Sequence, residues 1–391
     1  MTRYYRFLRW ILRKIYYKNF DFRFTFDPNF DPKRTDPYFM IGNHVSLRDG
    51  QYTFLPLEMY CYPVINIFEY TSPLMDFVLT KVIKTIPKRK GQSDIQTIRM
   101  MMDAMKQGHG VLLYPEGNSS YFGVQSEVPF STAKLIKKSK YDVVFCKVDG
   151  GYLTAPRWSD KAVKGGRFEV HYYTLFKASE LPSLTVEEIY QKIVDAMVFN
   201  DFEWNRVAKA RYVSPHRAEG LQRFVYWCPI CGATQTLSTK GSSIHCTHCG
   251  EIAHFDEYSF LQGENFPYDN LVPWGRDQMK VIPDLVKGTI ATRGTVNISN
   301  LAAHRNRHLG EFQIRIEDGF LRFLGKKAKF ELKLDQIKGL VLTKRDGLSF
   351  DYEDKVYFMH VADPMLFLNA IDYLNGGHDL WTNGTSSSTS S

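Results

Sequence analysis

A histidine and an aspartate stand five positions apart in NHVSLRDGQ, residues 43–51, directly after the apolar run YFMIG. Neutral imidazole is suited to taking a proton near pH 7, and a carboxylate on its other nitrogen fixes the tautomer and steadies the imidazolium. On one regular helix, positions five apart point about 140° away from each other. His44 and Asp49 therefore meet only if His44 leaves a strand end and the helix starts at about Leu47. The same residues also read as a capping box, with Ser46 as N-cap and Asp49 closing onto it. LLYPEGNSS, residues 112–120, is the second candidate. Its buried run GVLLY ends at Pro115-Glu116-Gly117, which would deliver a loop to a sheet edge. Alone, it is equally a plain turn.

The third constellation is metallic. CPIC (228–231) and CTHC (246–249) supply Cys228, Cys231, Cys246 and Cys249, with LSTKGSSI between them reading as a hairpin. Two such knuckles hold Zn²⁺ tetrahedrally through four thiolates. All four positions are filled by Cys, so no coordination site stays open and the zinc is expected to be structural. His245 and His248 read as bystanders. Four of six cysteines in CxxC pairs is metal-site usage in a reducing compartment, not a disulfide framework.

Positioning the first two motifs requires a particular kind of sheet. From about 37 to 208, short apolar runs (YFMIG, VINIF, GVLLY, DVVFCKV, RFEVHYYTLF) alternate with the helical patterns SDIQTIRMMMDAMKQG, TAKLIKKSK and TVEEIYQKIVDAMVF. In the first helix Ile95, Ile98, Met102 and Met105 form an apolar stripe. Such alternation implies an α/β fold, a largely parallel sheet flanked by helices. Ligands of such sheets bind at the carboxyl edge. After residue 288 the strands lose their helices and end in PMLFLNAIDYL, so a small β-rich domain with one helix, pleckstrin-homology-like, follows the zinc ribbon. The expected divisions are an amphipathic helix at 1–20, a catalytic-type domain at 21–215, the ribbon at 216–255, a connector at 256–287, the β-rich domain at 288–378 and a disordered tail at 379–391.

The net charge of +8 suits an anionic partner. Residues 1–20 hold Arg3, Arg6, Arg9, Arg13, Lys14 and Lys18 and no acid. At helical spacing these six share one half, with Tyr4, Tyr5, Leu8, Ile11, Leu12, Ile15 and Tyr16 on the other, while Phe7, Trp10 and Tyr17 fall on the basic side. That is the pattern of a helix lying in an anionic membrane surface; the alternative is a terminal helix packed on the domain with a solvated basic face. No long uncharged apolar run is present for a membrane span, and the scattered charges rule out a secretory signal. Nucleic acid is not an expected partner, since the basic residues gather in the amphipathic helix and the ribbon has few. A peripheral or monotopic place on the cytoplasmic face of a membrane follows.

NHVSLRD and YPEGNSS together resemble two motifs of the glycerolipid acyltransferases typified by 1-acylglycerol-3-phosphate acyltransferase: His-x4-Asp, and Phe-Pro-Glu-Gly-Thr-Arg-Ser matched at Pro115, Glu116, Gly117 and Ser120. TIPKRKG is similar to the second motif and CKVDGGYLTAPRW, around Pro156, to the fourth. The resemblance spans about residues 37–210. It implies acyl transfer from acyl-CoA or acyl carrier protein to a lysophospholipid hydroxyl, most simply 1-acylglycerol-3-phosphate giving phosphatidic acid. His44 would be the general base and Asp49 its orienting acid. Arg89 or Lys90 would contact phosphate, and Glu116, Gly117, Asn118 and Ser119 would line the substrate site, Glu116 either holding the acceptor or bracing the site. Asn118 and Ser119 replace the family's Thr and Arg, which removes a bidentate phosphate clamp; Lys88, Arg89, Lys90 and Lys134 are the compensating cations. A catalytically silent, membrane-docked adaptor with this fold is the competing class.

Overall fold

The structure is a computed structural model and describes residues 3–70, 72–88, 95–300 and 305–377. Arg89, Lys90 and the 379–391 tail lie outside the described residues. Seven strands build the first sheet: β1 (Asp21–Phe26), β2 (Phe39–Gly42), β3 (Cys61–Asn66), β4 (Ile86–Lys88), β5 (Gly110–Leu113), β6 (Val143–Asp149) and β7 (Arg167–Phe176). Their order is β1-β7-β6-β2-β5-β3-β4, and only the β6–β7 pair is antiparallel. All four residues of β2 and of β5 are buried, as strands covered on both faces must be. β1 was not expected, because DFRFTF leaves every second residue exposed at the sheet's edge. β4 is three residues long, too short to register as a pattern.

The helices of this region are α1 (Arg3–Asn19), α2 (Asp49–Tyr52), α3 (Pro73–Phe77), α4 (Ile95–Lys106), α5 (Ser131–Ser139), α6 (Gly151–Thr154), α7 (Val186–Met197) and α8 (Asp201–Ala208). α7 starts on a complete capping box between Thr185 and Glu188, which makes its boundary readable. One face of the sheet packs on α4, α5 and α7 through Phe39, Ile41, Val111, Val143, Ile136 and Ile189. α4 corrects the expected stripe: Ile95 and Ile98 are exposed, and the buried face is Thr97, Met101, Ala104 and Met105. Apolar residues occur almost all round this helix, so spacing alone cannot choose its rotation. The Thr97 hydroxyl, donating to Pro87 O at 2.7 Å, ties one side of the helix to the β4 strand.

The other face of the sheet opens into a second core that runs without a break to the end of the described chain. It includes the ribbon, β8 (Leu237–Lys240), β9 (Ser243–Cys246), β10 (Gly250–Phe255) and β11 (Leu261–Gln262), an antiparallel sheet whose β8–β9 hairpin is the expected LSTKGSSI. The connector is packed rather than loose. It forms α9 (Leu271–Asp277) and α10 (Ile282–Leu285), and buries Leu271, Trp274 and Ile282. Trp274 Nε1 donates to Trp227 O at 3.0 Å. Gly275 sits on the ring of Phe122, where a Cβ would come within 2.5 Å of it.

The C-terminal domain holds β12 (Ile290–Asn300), β13 (Arg305–Glu317), β14 (Phe320–Gly325), β15 (Lys329–Lys333), β16 (Lys338–Thr343), β17 (Gly347–Tyr352), β18 (Lys355–Val361) and α11 (Pro364–Leu374). These strands form an antiparallel sheet ordered β15-β14-β13-β12-β18-β17-β16, closed by α11, which buries Met365 through Ile371.

α1 packs on the first domain instead of standing clear of it. Tyr5 and Tyr16 are buried, Arg9 donates to Leu57 O and to Glu58 (2.9 Å), and Arg13 Nε donates to Leu55 O at 2.9 Å. Two of the six basic residues therefore face inward, because the strand-free segment 54–58 presents carbonyls that need donors. What faces outward includes Phe7, Trp10, Ile15, Tyr17, Arg6, Lys14 and Lys18, with Lys14 Nζ over the Trp10 ring at 3.9 Å. Among the described residues no helix is long and apolar enough to cross a membrane.

Candidate active site

β2 and β5 are parallel neighbours with Ile41 opposite Leu113. Their carboxyl ends therefore release His44 and Glu116 at one edge of the sheet. Asn43 locks the end of β2 to β6: its Nδ2 donates to Val148 O at 2.7 Å, and its Oδ1 accepts from Val148 N at 2.8 Å. The chain then turns through Ser46–Arg48 before α2 begins at Asp49. Only half of the expected capping box forms: the Asp49 carboxylate accepts from Ser46 N, but Ser46 Oγ does not accept from Asp49 N. Ser46 Oγ donates to Asp49 Oδ1 and accepts from Arg48 N, and the helix starts two residues later than expected and lasts one turn.

The Asp49 carboxylate causes that departure. It is fully buried and accepts from His44 Nδ1 (2.8 Å), Val45 N (2.7 Å), Ser46 N (3.0 Å), Ser46 Oγ (2.7 Å) and Tyr52 OH (2.5 Å). Five donors on one carboxylate hold it in a single orientation. With Asp49 accepting at Nδ1, that nitrogen of neutral His44 carries the proton, and the Nε2 lone pair remains for a substrate. The imidazole stacks on Tyr114, centroids 4.4 Å apart at 17°. Its side chain keeps 19% exposure.

Glu116 lies beneath this pair and spends both oxygens on backbone. Oε2 accepts from His44 N at 2.7 Å and Oε1 from Ser126 N at 3.2 Å. Burial raises its pKa to about 8, against the lowering effect of those two N–H groups. Both carboxylate oxygens are thus engaged with backbone N–H groups. The loop is tied a second time where Ser120 N donates to His44 O at 2.7 Å. Gly117 turns with φ +71°, a conformation that favours glycine, and is exposed, while Asn118 is half-buried. Ser119 is buried and faces Arg157, whose Nη1 donates to its carbonyl at 3.2 Å and its hydroxyl at 3.3 Å. His44, Asp49, Glu116 and Ser120 thus converge. Ser119 turns inward onto Arg157, and Lys134 stacks over Phe130.

Tyr52, Tyr114, Asn43 and Arg157 were not singled out by sequence. Tyr114 ends the GVLLY run and Tyr52 follows Asp49 at helical spacing, so a signal existed for both. Nothing local marks Arg157.

The Sγ atoms of Cys228, Cys231, Cys246 and Cys249 all lie within 4.8 Å of one another, with Cys231 and Cys246 at 3.8 Å. A tetrahedron with metal–sulfur bonds of about 2.3 Å has edges of about 3.8 Å, so the four thiols fit one ion. Cys228 and Cys246 are buried and Cys231 and Cys249 exposed. No His joins the cluster among the described residues.

No family model matches the chain, and no curated protein matches it. Among solved structures it is similar to the 1-acyl-sn-glycerophosphate (LPA) acyltransferase PlsC from Thermotoga maritima: 13% identity, 55% of this chain, 86% of that one, TM-score 0.40. It is also similar to the inner membrane complex sub-compartment protein 3 of Toxoplasma gondii, at 10% identity over 25% of this chain and 82% of that one, TM-score 0.18. Both are distant likenesses.

Proposed function

We propose that the chain is an acyltransferase moving a fatty acyl group from a thioester, acyl-CoA or acyl carrier protein, to a lysophospholipid hydroxyl. The observation that carries the reading is the His44–Asp49 contact at the carboxyl edge of a parallel sheet, with Nε2 unspent. In the reaction, Nε2 takes the acceptor's hydroxyl proton as that oxygen attacks the thioester carbonyl. The tetrahedral oxyanion collapses, the carbon–sulfur bond breaks, and the thiolate leaves with the proton that the imidazolium returns. Asp49, held by four other donors, keeps the ring in register throughout. The oxyanion needs N–H donors. Gly117 N is spent on Tyr114 O, and Val45 N and Ser46 N are spent on Asp49. Among the described residues, the nearby N–H groups with no acceptor are those of Leu47, Asn118 and Ser119.

A groove of about 390 Å³ between α1 and α2 sets cations beside apolar side chains, a pairing that suits an anionic amphiphile, although none of His44, Asp49 and Glu116 lines it. Arg48 and Lys164 line it beside Leu12, Ile15 and Phe20. The outer surface of α1, three aromatics among Arg6, Lys14 and Lys18, supports docking on an anionic membrane surface. Four thiolates and no open position support structural zinc in the ribbon. The strand order and closing helix of residues 290–374 support the pleckstrin-homology-like reading of the C-terminal domain.

One observation favours the adaptor class: residues 115–120 hold no Lys or Arg, and Ser119 is turned inward onto Arg157, so this loop offers no side-chain cation to a phosphate. The deciding experiment is a turnover assay with acyl-CoA and acyl carrier protein donors across several lysolipids, starting with 1-acylglycerol-3-phosphate. Product is expected from the wild type, with His44→Ala slower by about 10²–10⁴-fold. No turnover with any acceptor selects the adaptor.

A further inference from the structure

Arg157 is 3% exposed, and no carboxylate lies within ion-pair distance of it among the described residues. A buried guanidinium is costly unless hydrogen bonds satisfy it; burial lowers the Arg157 pKa, against the raising effect of Tyr121 and of the Glu69 charge. Its donors go to carbonyls of two domains. Nη1 reaches Ser119 O and Oγ, Nε donates to Lys344 O at 3.2 Å, and Nη2 donates to Leu342 O. Ser119 follows Glu116 in the loop beneath His44, whereas Leu342 lies at the end of β16 and Lys344 in the turn just past it. The Tyr121 ring lies against the guanidinium at 5.2 Å.

Two further contacts seat the C-terminal domain at the same place. Arg345 Nε donates to Ser159 O at 2.7 Å. Phe68, just past β3, is buried with Val341 and Val356, its ring 5.7 Å from that of Phe358. Phe68, Ser119 and Arg157 all follow carboxyl ends of first-domain strands, so the C-terminal domain rests on the edge that carries His44.

We propose that Arg157 is a positioning residue through which the C-terminal domain sets the 116–120 loop, so that the candidate site is complete only with that domain seated. The guanidinium pins Ser119 inward, and the pinned loop keeps Glu116 under the His44 N–H. The functional half of this inference rests on the acyl-transfer reading; the structural half does not. Small displacements of positioned groups cost on the order of 10²-fold in rate, which sets the expected scale.

Full-length Arg157→Gln and Arg157→Lys are to be compared with wild type for zinc content, thermal midpoint, amide exchange, and kcat and KM with the lysolipid. In Arg157→Gln, exchange is expected to rise at least about tenfold in 116–121 and 340–345 but not in β6, with zinc retained. The rate loss should fall on kcat rather than KM, approaching the 10²-fold scale. Arg157→Lys, which keeps one donor group, should recover part of both effects. Unchanged exchange in 116–121 overturns the inference, and so does loss of protection spread evenly through the first sheet. If Arg157→Gln does not fold, Arg157→Lys decides by the same readouts. If the wild type turns over no lysolipid, the acyl-transfer reading falls, while the exchange result still decides whether Arg157 couples the loop to the domain.

Discussion

Cys228, Cys231, Cys246 and Cys249 come from one hairpin and its flanks, two of them exposed, and their sulfurs gather with little help from the rest of the molecule. His44 and Glu116 are 72 residues apart and meet only because β2 and β5 pair in parallel. The first cluster is held by local chain geometry, and a metal ion on the four thiols would hold it further. The second is held by a core buried on both faces of a sheet. Removing the metal should therefore damage structure, whereas changing the reacting side chain should damage chemistry and leave structure alone.

The largest test of that contrast is the metal. One zinc per chain is expected, and stripping it forfeits on the order of 10 kcal/mol of ribbon folding energy. Exchange protection should vanish from residues 227–255, and the first sheet should lose less. A ribbon that keeps its protection without metal would break the comparison.

Next in size is Asp49→Asn, because Asp49 belongs to both sides of the contrast. The amide keeps one acceptor oxygen against five donors, so turnover should fall by about 10²–10⁴-fold. The stability loss should be about 1–3 kcal/mol, read by urea titration. His44→Ala should show the rate loss without the stability loss. If Asp49→Asn melts like wild type, the carboxylate is not organising the turn.

Glu116 gives a smaller, pH-dependent effect. Its folded pKa of about 8 lies above its ordinary 4.5, so the folded chain binds this proton more tightly than the unfolded chain does. The group's favourable contribution is complete below about pH 4.5, shrinks as pH rises, and is gone above about pH 8. Glu116→Gln should flatten that slope and, at pH 5, cost about 1 kcal/mol, since one backbone N–H loses its acceptor. A wild-type stability curve that is flat between pH 5 and 8, or rises there, refutes the assignment.

The smallest effect should come from the outer face of α1. Replacing Phe7 and Trp10 by Ser, both more than half exposed, should weaken binding to anionic vesicles several-fold and leave the thermal midpoint within about 1 °C of wild type. Unchanged vesicle binding would remove the membrane-docking proposal.

Much of the frame was legible because it rests on local rules. The buried runs at 39–42, 110–113 and 143–149, the Thr185–Glu188 cap and the cysteine knuckles each carry their own signal. The rotation of α4 was not legible, since its apolar residues surround the helix. The inward turn of Arg9 and Arg13 was missed because a basic residue reads as solvated until the carbonyls of Leu55 and Leu57 are seen beside it. The helices of the connector were not legible because its aromatics have no period, yet Trp274 is fully buried there.

The sequence by itself determined which residues could react or bind metal: a His and an Asp at a turn, four Cys at knuckle spacing, a Pro-Glu-Gly loop. Those are matters of side-chain chemistry and short spacing. Only the tertiary structure decided that Asp49 collects five donors, that Glu116 accepts from two backbone N–H groups, and that Ser119 is held inward by Arg157. Each of these depends on groups far away in the chain competing for the same buried atoms, and burial makes most such atoms find a partner.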